Sequence, residues 1–355
     1  MTPPTALLTG GAGFIGSNLV RTALARGWRV VNLDALTYAG SLASIQECLR
    51  HPHHVFVHGN VGDLALVRSL LAEHRPAVVL HLAAESHVDR SIDGPRDFIA
   101  TNVVGTHELL AAAREHWEQL PPPQRERFRF IQVSTDEVFG SIEEGAFHEA
   151  SPYRPNSPYA ATKAAADHLA RAYQRTYGLP VMVTNCSNNY GPYQFPEKLI
   201  PLCILKALAE EPIPIYGDGL QVRDWLHVED HCDALLTVAE RGVPGETYIV
   251  GGGTELTNLE LVSRLCAVMD ELRPRPGGGR HLELLKHVTD RPGHDRRYAV
   301  DGAKLERELG WRPRRAIHEG LTDTVRWYLA QGAWLEEIRR QRYAGERLGL
   351  RASPR

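Results

Sequence analysis

The first half of the chain alternates short apolar runs with longer stretches in which apolar residues recur at three- and four-residue spacing. Runs rich in β-branched and aliphatic residues begin at Thr5 (TALLTG), Arg29 (RVVNLD), His54 (HVFVHG) and Ala77 (AVVLHLAA), about 24 residues apart. Between several of them the spacing predicts helices, from Ile15 to Arg26 and from Leu64 to His74. Two further runs, Phe128 to Thr135 and Val181 to Ser187, come at about twice that interval. A strand covered by helices on both faces reads as a continuous apolar run, whereas a half-exposed strand alternates. The pattern therefore predicts an α/β chain, with a doubly wound parallel (Rossmann) sheet over residues 1–187.

After residue 188 the rhythm breaks, and Gly191, Pro192, Pro196, Pro201, Pro212, Pro214, Gly217 and Gly219 follow in close succession. We expect a smaller mixed α/β lobe over 188–330 that binds substrate, with room for its segments to interleave with the first lobe. A helical tail over 331–355 completes the expected layout.

Composition narrows the class. Of the 355 residues, 43% are hydrophobic and 23% charged, which excludes a disordered or fibrous chain. The net charge of −3 gives no basic excess for nucleic acid or an anionic membrane. No apolar run reaches the roughly 18–20 residues of a membrane span, and no basic segment precedes the first apolar stretch as in a signal peptide. Cys48, Cys186, Cys203, Cys232 and Cys266 are odd in number and widely spaced. They read as buried free thiols in a cytoplasmic protein, and no metal site is expected.

The first chemistry lies at Thr9-Gly10-Gly11-Ala12-Gly13-Phe14-Ile15-Gly16, where a strand turns into a helix. Glycines at 10, 13 and 16 allow a tight turn, close approach of backbone to a pyrophosphate, and close helix–sheet packing. A glycine triplet alone is weak, but Asp34 ends the next strand, 18 residues after Gly16. A carboxylate there accepts from ribose hydroxyls and repels a 2′-phosphate, so the cofactor expected is NAD. Asn60-Val61 and Ala83-Ala84, after the third and fourth strands, are the other expected contacts.

Tyr159 and Lys163 stand four apart on one helix face, and of twelve tyrosines only Tyr159 has a lysine at that spacing. An adjacent ammonium lowers a phenol's pKa toward the range of a usable base. Just upstream, Ser134-Thr135-Asp136-Glu137 closes the fifth strand. A hydroxyl and two carboxylates at a strand's carboxyl end suit acid–base work, with spacing alone not saying which carboxyl is the acid.

These motifs resemble the extended short-chain dehydrogenase/reductase superfamily. DALTYAG (34–40), AAESHVDRSI (83–92), STDEVFG (134–140), YAATKA (159–164), NNYGPYQFPEKLIP (188–201), GLQVRDWLHVEDH (219–231) and DRPGHDRRYA (290–299) narrow the resemblance to the dTDP-glucose 4,6-dehydratases, over about residues 5–330. The resemblance implies a redox-neutral dehydration of dTDP-glucose. Tyr159, assisted by Lys163, would take the C4 hydroxyl proton, Glu137 the C5 proton, and Asp136 would protonate the departing C6 hydroxyl, with Thr135 on the C4 oxygen. It also implies that Ser86, Asn188, Lys198, Leu199, Arg223, Asn258, Arg291 and His294 bind the nucleotide sugar. The arginines are the expected partners of its diphosphate. A homodimer through the helices around 97–117 and 157–177 is implied in the same way. Where the family pattern reads Gly-Asp, this chain has Gly59-Asn60, which predicts altered NAD affinity.

Related chemistries compete. A nucleotide-sugar 4-epimerase has small or hydroxyl residues in place of Asp136 and Glu137, and a decarboxylase or GDP-mannose-type dehydratase keeps only the glutamate. A UDP- or GDP-sugar 4,6-dehydratase remains open, and a non-catalytic NAD sensor has no use for the whole constellation. Asp136 is the discriminating residue.

Overall fold

The computed structural model describes residues 4–341. Its first six strands are β1 (Thr5–Thr9), β2 (Arg29–Asp34), β3 (His54–His58), β4 (Val78–His81), β5 (Arg129–Thr135) and β6 (Val181–Cys186). The later ones are β7 (Asn188–Tyr190), β8 (Ile213–Tyr216), β9 (Val222–His227), β10 (Thr247–Val250), β11 (Glu255–Thr257) and β12 (Leu285–Val288). Seven strands form one sheet in the order β3-β2-β1-β4-β5-β6-β10, and every pairing in it is parallel. The order reverses between β1 and β4, so a crevice opens beyond the carboxyl ends of the strands there.

Successive residues of a strand point to opposite faces, and both faces are covered. Ala6 and Leu8 of β1 pack with Leu19, Val20 and Ala23 of the helix Phe14–Ala25, and with Leu235 and Val238 of the helix Val228–Arg241. Leu7, between them, faces the other way, with Val67 and Leu71 of the helix Leu64–His74 and Leu109 and Leu110 of the helix Thr106–Gln119. The chain recrosses residue 187. Strand β10, the helix Val228–Arg241, and Leu305, Leu309 and Trp311 all complete the first core. We therefore propose a functional division along the cleft rather than at one point in the sequence.

A second core gathers Tyr190, Ile200, Cys203, Ile204, Ile213, Ile215, Leu261, Leu265, Val325, Tyr328 and Trp334. Two small sheets, β11-β9-β7 and β12-β8, lie in this lobe. From the tail, the helix Gly332–Gln341 seats Trp334, whose indole Nε1 donates to the Ser44 hydroxyl at 3.1 Å. The rest of the expected tail lies outside the described residues. All five cysteines are buried and free. Among the described residues no helix is long and apolar enough to cross a membrane.

Candidate active site

The glycine turn joins β1 to the helix Phe14–Ala25, and its three glycines meet different demands. Gly10 has φ +78° and would press a Cβ to 2.8 Å from the Ala83 nitrogen, while a Cβ on Gly16 would lie 2.0 Å from the Gly10 carbonyl oxygen. Those two are required by the fold itself. A Cβ on Gly13 meets only the Gly10 oxygen, at 3.4 Å, and would otherwise project into the cleft that Gly13 lines. The Phe14–Ala25 helix starts at Gly13 without a side-chain cap, leaving its first N–H groups for a ligand's phosphates. A dinucleotide fits this cradle.

Asp34 is buried, and its carboxylate accepts from the Ala12 N–H at 2.8 Å and the Leu36 N–H at 2.7 Å. It thus fixes the glycine turn as well as lining the cleft, a structural duty its spacing had not disclosed. Asn60 lines the cleft too, with its Oδ1 accepting from the Gly62 N–H at 2.8 Å. Asp63 caps the next helix, its carboxylate accepting from the Leu66 N–H. Phe14, Ile15, Val61, Ala83 and Ala84 complete this side of the cleft.

Beyond β5 the chain makes a single 3-10 turn over Asp136–Phe139, which sets Thr135, Asp136 and Glu137 at the cleft wall. Opposite them runs the helix Pro158–Tyr177. Ser157 caps it by accepting from the Ala160 N–H, Pro158 opens it, and Gly178 ends it at φ +75°. Tyr159 and Lys163 are both buried on its inner face, and both line the cleft.

The electrostatics separate the two carboxyls. Burial, the neighbouring Glu137 and Asp224 raise Asp136 well above the carboxylate range, against Arg223 and the Thr135 hydrogen bond. Its Oδ2 is fully buried with no protein partner. Burial raises Glu137 above the usual glutamate range as well, with Arg291, Lys198 and Arg223 working against it. Asp136 is therefore suited to hold a proton and Glu137 to release one, the distinction that spacing could not supply.

Burial dominates the setting of both Tyr159 and Lys163. Burial, Glu137, Cys186 and Asp136 raise the phenol well above its usual value, against the Thr135 hydrogen bond. Lys163 donates from Nζ to the Val133 carbonyl at 2.7 Å, and burial lowers its pKa. The ammonium is thus anchored to β5 on the same helix face as the phenol.

On the far side Ser86, Asn188 and Lys198 line the cleft, with the Lys198 ammonium donating to the Ser86 carbonyl at 3.3 Å. Arg223 is buried, donates to the Val222 and Asp295 carbonyls, and lies 4.1 Å over the Tyr298 ring. Arg291 donates to Asp89 at 2.9 Å. Asn258 and His294 are joined through residues not singled out in the sequence: Asn258 Nδ2 to Gln221 at 3.5 Å, Gln221 to Asp290 at 2.9 Å, and Asp290 to His294 at 2.6 Å. Burial and Arg291 bring His294 down to about 4, so it is neutral at neutral pH. Arg223, Arg291, Asn258 and His294 are not among the residues that line the cleft. Leu199, partly buried at the start of the helix Leu199–Leu208, packs against the second core.

The sequence model of the GDP-mannose 4,6 dehydratase family matches residues 7–324. The dTDP-glucose 4,6-dehydratase of Xanthomonas campestris pv. campestris (strain B100) is 58% identical over 346 residues, covering 97% of this chain and 99% of that one. That of Escherichia coli is 50% identical, with the same coverage. The chain belongs to the dTDP-glucose 4,6-dehydratase family. Among solved structures, the family member from Streptomyces venezuelae, crystallised with NAD bound, superposes with a TM-score of 0.86 at 46% identity, covering 94% of this chain and 99% of that one. A Thermus thermophilus UDP-glucose 4-epimerase in complex with NAD reaches 0.80 at 30% identity, covering 92% of this chain and 99% of that one, so the architecture is shared beyond the dehydratases.

More residues line the cleft than the motifs first suggested. Thr101, Asn189, Gln194 and Glu197 line it and were not anticipated. Glu197 is a buried carboxylate 3.6 Å from both the His87 and Arg90 nitrogens. It sits inside the YGPYQFPEKL run beside Lys198, a position that could have flagged it. Thr101 carries no such signal, because the helical turn that aims it is irregular.

Proposed function

We propose that this chain dehydrates dTDP-glucose to dTDP-4-keto-6-deoxy-glucose, with NAD as a tightly held cofactor that is regenerated within each turnover. When bound, NAD would supply the hydride acceptor for oxidation at C4 and the hydride donor for reduction at C6. Gly13 and the free N–H groups that follow would hold its pyrophosphate, and Asp34 its adenosine ribose. The observation that carries this reading is the placing of Thr135, Asp136, Glu137, Tyr159 and Lys163 on one cleft with the glycine turn and Asp34.

The residues' work follows from their settings. Thr135 orients the C4 oxygen, and Tyr159 takes the C4 hydroxyl proton. Lys163 spends one of its three donors on Val133, which leaves two for the dinucleotide. With a ketone at C4, the C5 proton is acidic and passes to Glu137, while protonated Asp136 gives its proton to the C6 hydroxyl as water leaves. Arg223 and Arg291 supply cationic charge for the diphosphate, and Lys198 and Asn188 face the nucleotide sugar.

We also infer a homodimer in the cytoplasm. Ile99, Val104 and Tyr177 are 52%, 49% and 44% exposed on the helices expected to pair, and five free buried thiols suit a reducing compartment. Light scattering should give twice the chain mass, and a Val104→Glu variant should give the monomer.

The test of the activity is mass spectrometry of dTDP-glucose incubated with the protein in heavy water. Loss of one water, one deuterium at C5 and no net NADH is expected. A product of unchanged mass would make it an epimerase.

A further inference from the structure

His81 ends β4 fully buried, touches no expected ligand, and has no part in the chemistry above. Its two ring nitrogens are both engaged, Nδ1 with the Thr9 hydroxyl at 2.8 Å and Nε2 with the Thr106 hydroxyl at 3.0 Å. The proton positions can be deduced. The single Thr106 hydroxyl proton goes to the Asn102 carbonyl at 2.6 Å, so that hydroxyl accepts from His81 Nε2–H. In a neutral ring Nδ1 is then the acceptor, and Thr9 donates to it. The Thr9 oxygen in turn accepts from the Ala83 N–H at 3.2 Å. Hydrogen bonds therefore run one way, from Ala83 through Thr9, His81 and Thr106 to Asn102. Burial and Lys163 hold the imidazole down to about 3, which keeps it neutral through the physiological range.

Both ends of this chain act on the cleft. Ala83 is a wall residue, and the glycine turn presses against it. Asn102 lies in a π-helical turn, Ile99–Gly105, an irregularity common at functional sites. Its side chain brackets Glu85, accepting from the Glu85 N–H at 2.8 Å and donating to the Glu85 carbonyl at 3.0 Å. It also donates to the Thr162 hydroxyl, which donates to the carbonyl of Tyr159.

We propose that His81 is a positioning residue. Its neutral Nε2–H form ties the end of β1 to the π-turn and so sets the Ala83–Glu85 wall and the backbone of Tyr159 in register. The reading rests on the dehydratase activity proposed above. Thr9 and Thr106 are its obligate partners, since each contributes a hydroxyl that must accept on one side and donate on the other.

The experiment compares His81→Leu, His81→Gln, Thr9→Val and Thr106→Val in the full chain. It reads kcat and KM for dTDP-glucose, NAD retention on gel filtration, and amide exchange across 83–106. We expect His81→Leu to lose kcat about 10- to 100-fold, the scale of a small misplacement of reacting groups, with KM within about twofold. Amides of 99–106 should exchange faster while the remaining helices keep wild-type protection. His81→Gln, whose amide offers an acceptor oxygen and a donor NH2 group, should recover most of the loss. Thr106→Val removes one hydroxyl and keeps the volume, so it serves if His81→Leu fails to fold. Wild-type kcat and exchange in both His81→Leu and Thr106→Val would overturn the proposal, as would a loss that only tracks the folded fraction. If the wild type leaves dTDP-glucose unchanged, the functional reading fails separately. His81→Leu is then judged on NAD, with faster loss expected and equal retention contradicting it.

Discussion

Along the ends of β1 and β2 the cleft is shaped by backbone. Gly10 and Gly16 are compelled by close contacts, Gly13 leaves room, and Asp34 spends its carboxylate on two main-chain N–H groups. Across from it, the wall is shaped by charge. Asp136 and Glu137 stand on that wall, and Arg223 and Arg291, up to 155 residues away in sequence, act on their protonation. A backbone-shaped wall is intolerant of added atoms. The charged wall tolerates isosteric replacement sterically, but its function depends on which group carries a proton.

The largest effect should come where the two walls meet. Tyr159→Phe keeps the ring that packs edge-on to Phe98 and removes the hydroxyl. We expect kcat to fall about 10²–10⁴-fold with NAD still bound, the range for a lost general base. A burst of NADH absorbance in that variant would mean that oxidation does not depend on this phenol.

Next comes the contrast between glycines. Gly16→Ala places a methyl 2.0 Å from a backbone oxygen and should cost at least about 1–3 kcal/mol of stability. Gly13→Ala should fold with a wild-type melting temperature and lose NAD affinity instead. Thermal unfolding with and without NAD separates them, and equal melting losses would erase the distinction between a glycine the fold needs and one the ligand needs.

On the charged wall, the working form pairs ionised Glu137 with protonated Asp136. Activity should therefore fall at low pH as Glu137 gains a proton, in a limb displaced above the ordinary glutamate range. It should fall at high pH as Asp136 loses one, and the two limbs belong to the coupled pair. The sign for stability is the reverse of a salt-bridged aspartate. Asp136 binds its proton more tightly folded than unfolded, so its contribution is favourable below the unfolded pKa and is lost as pH rises toward the folded one. Asp136→Asn should raise the melting temperature at neutral pH and not at acid pH. No pH dependence in that difference would contradict the raised pKa.

The smallest expected effect is at Asn60. The amide oxygen already closes the turn to Gly62, so Asn60→Asp should keep the turn and shift NAD affinity only a few-fold, roughly 1 kcal/mol or less. Unchanged affinity by calorimetry would remove Asn60 from the cofactor contacts.

The same division explains what could be read from the residues alone. The strands, the parallel sheet and the glycine turn were legible because their causes are local: apolar runs, a 3.6-residue period and a contiguous motif. The return of β10 to the first sheet was not, since Thr247–Val250 is a short apolar run like many others and its pairing with β6 is a long-range choice. Nor was the anchoring of Lys163 on Val133, because helix spacing puts tyrosine and lysine on one face without saying what the ammonium touches. Gln221 and Asp290 lay inside quoted motifs, yet only the fold joins them to Asn258 and His294. His81 looked like one apolar-strand histidine among seventeen.

The central claim is that environment makes Asp136 the acid and Glu137 the base. The most direct measurement is rapid mixing of Glu137→Gln and Asp136→Asn with dTDP-glucose in heavy water, following NADH absorbance and deuterium at C5. We predict that Glu137→Gln builds up NADH with no deuterium in the sugar. Asp136→Asn should build up NADH and exchange C5 with solvent while retaining its water. Deuterium at C5 in Glu137→Gln, together with none in Asp136→Asn, would show that the roles are the other way round.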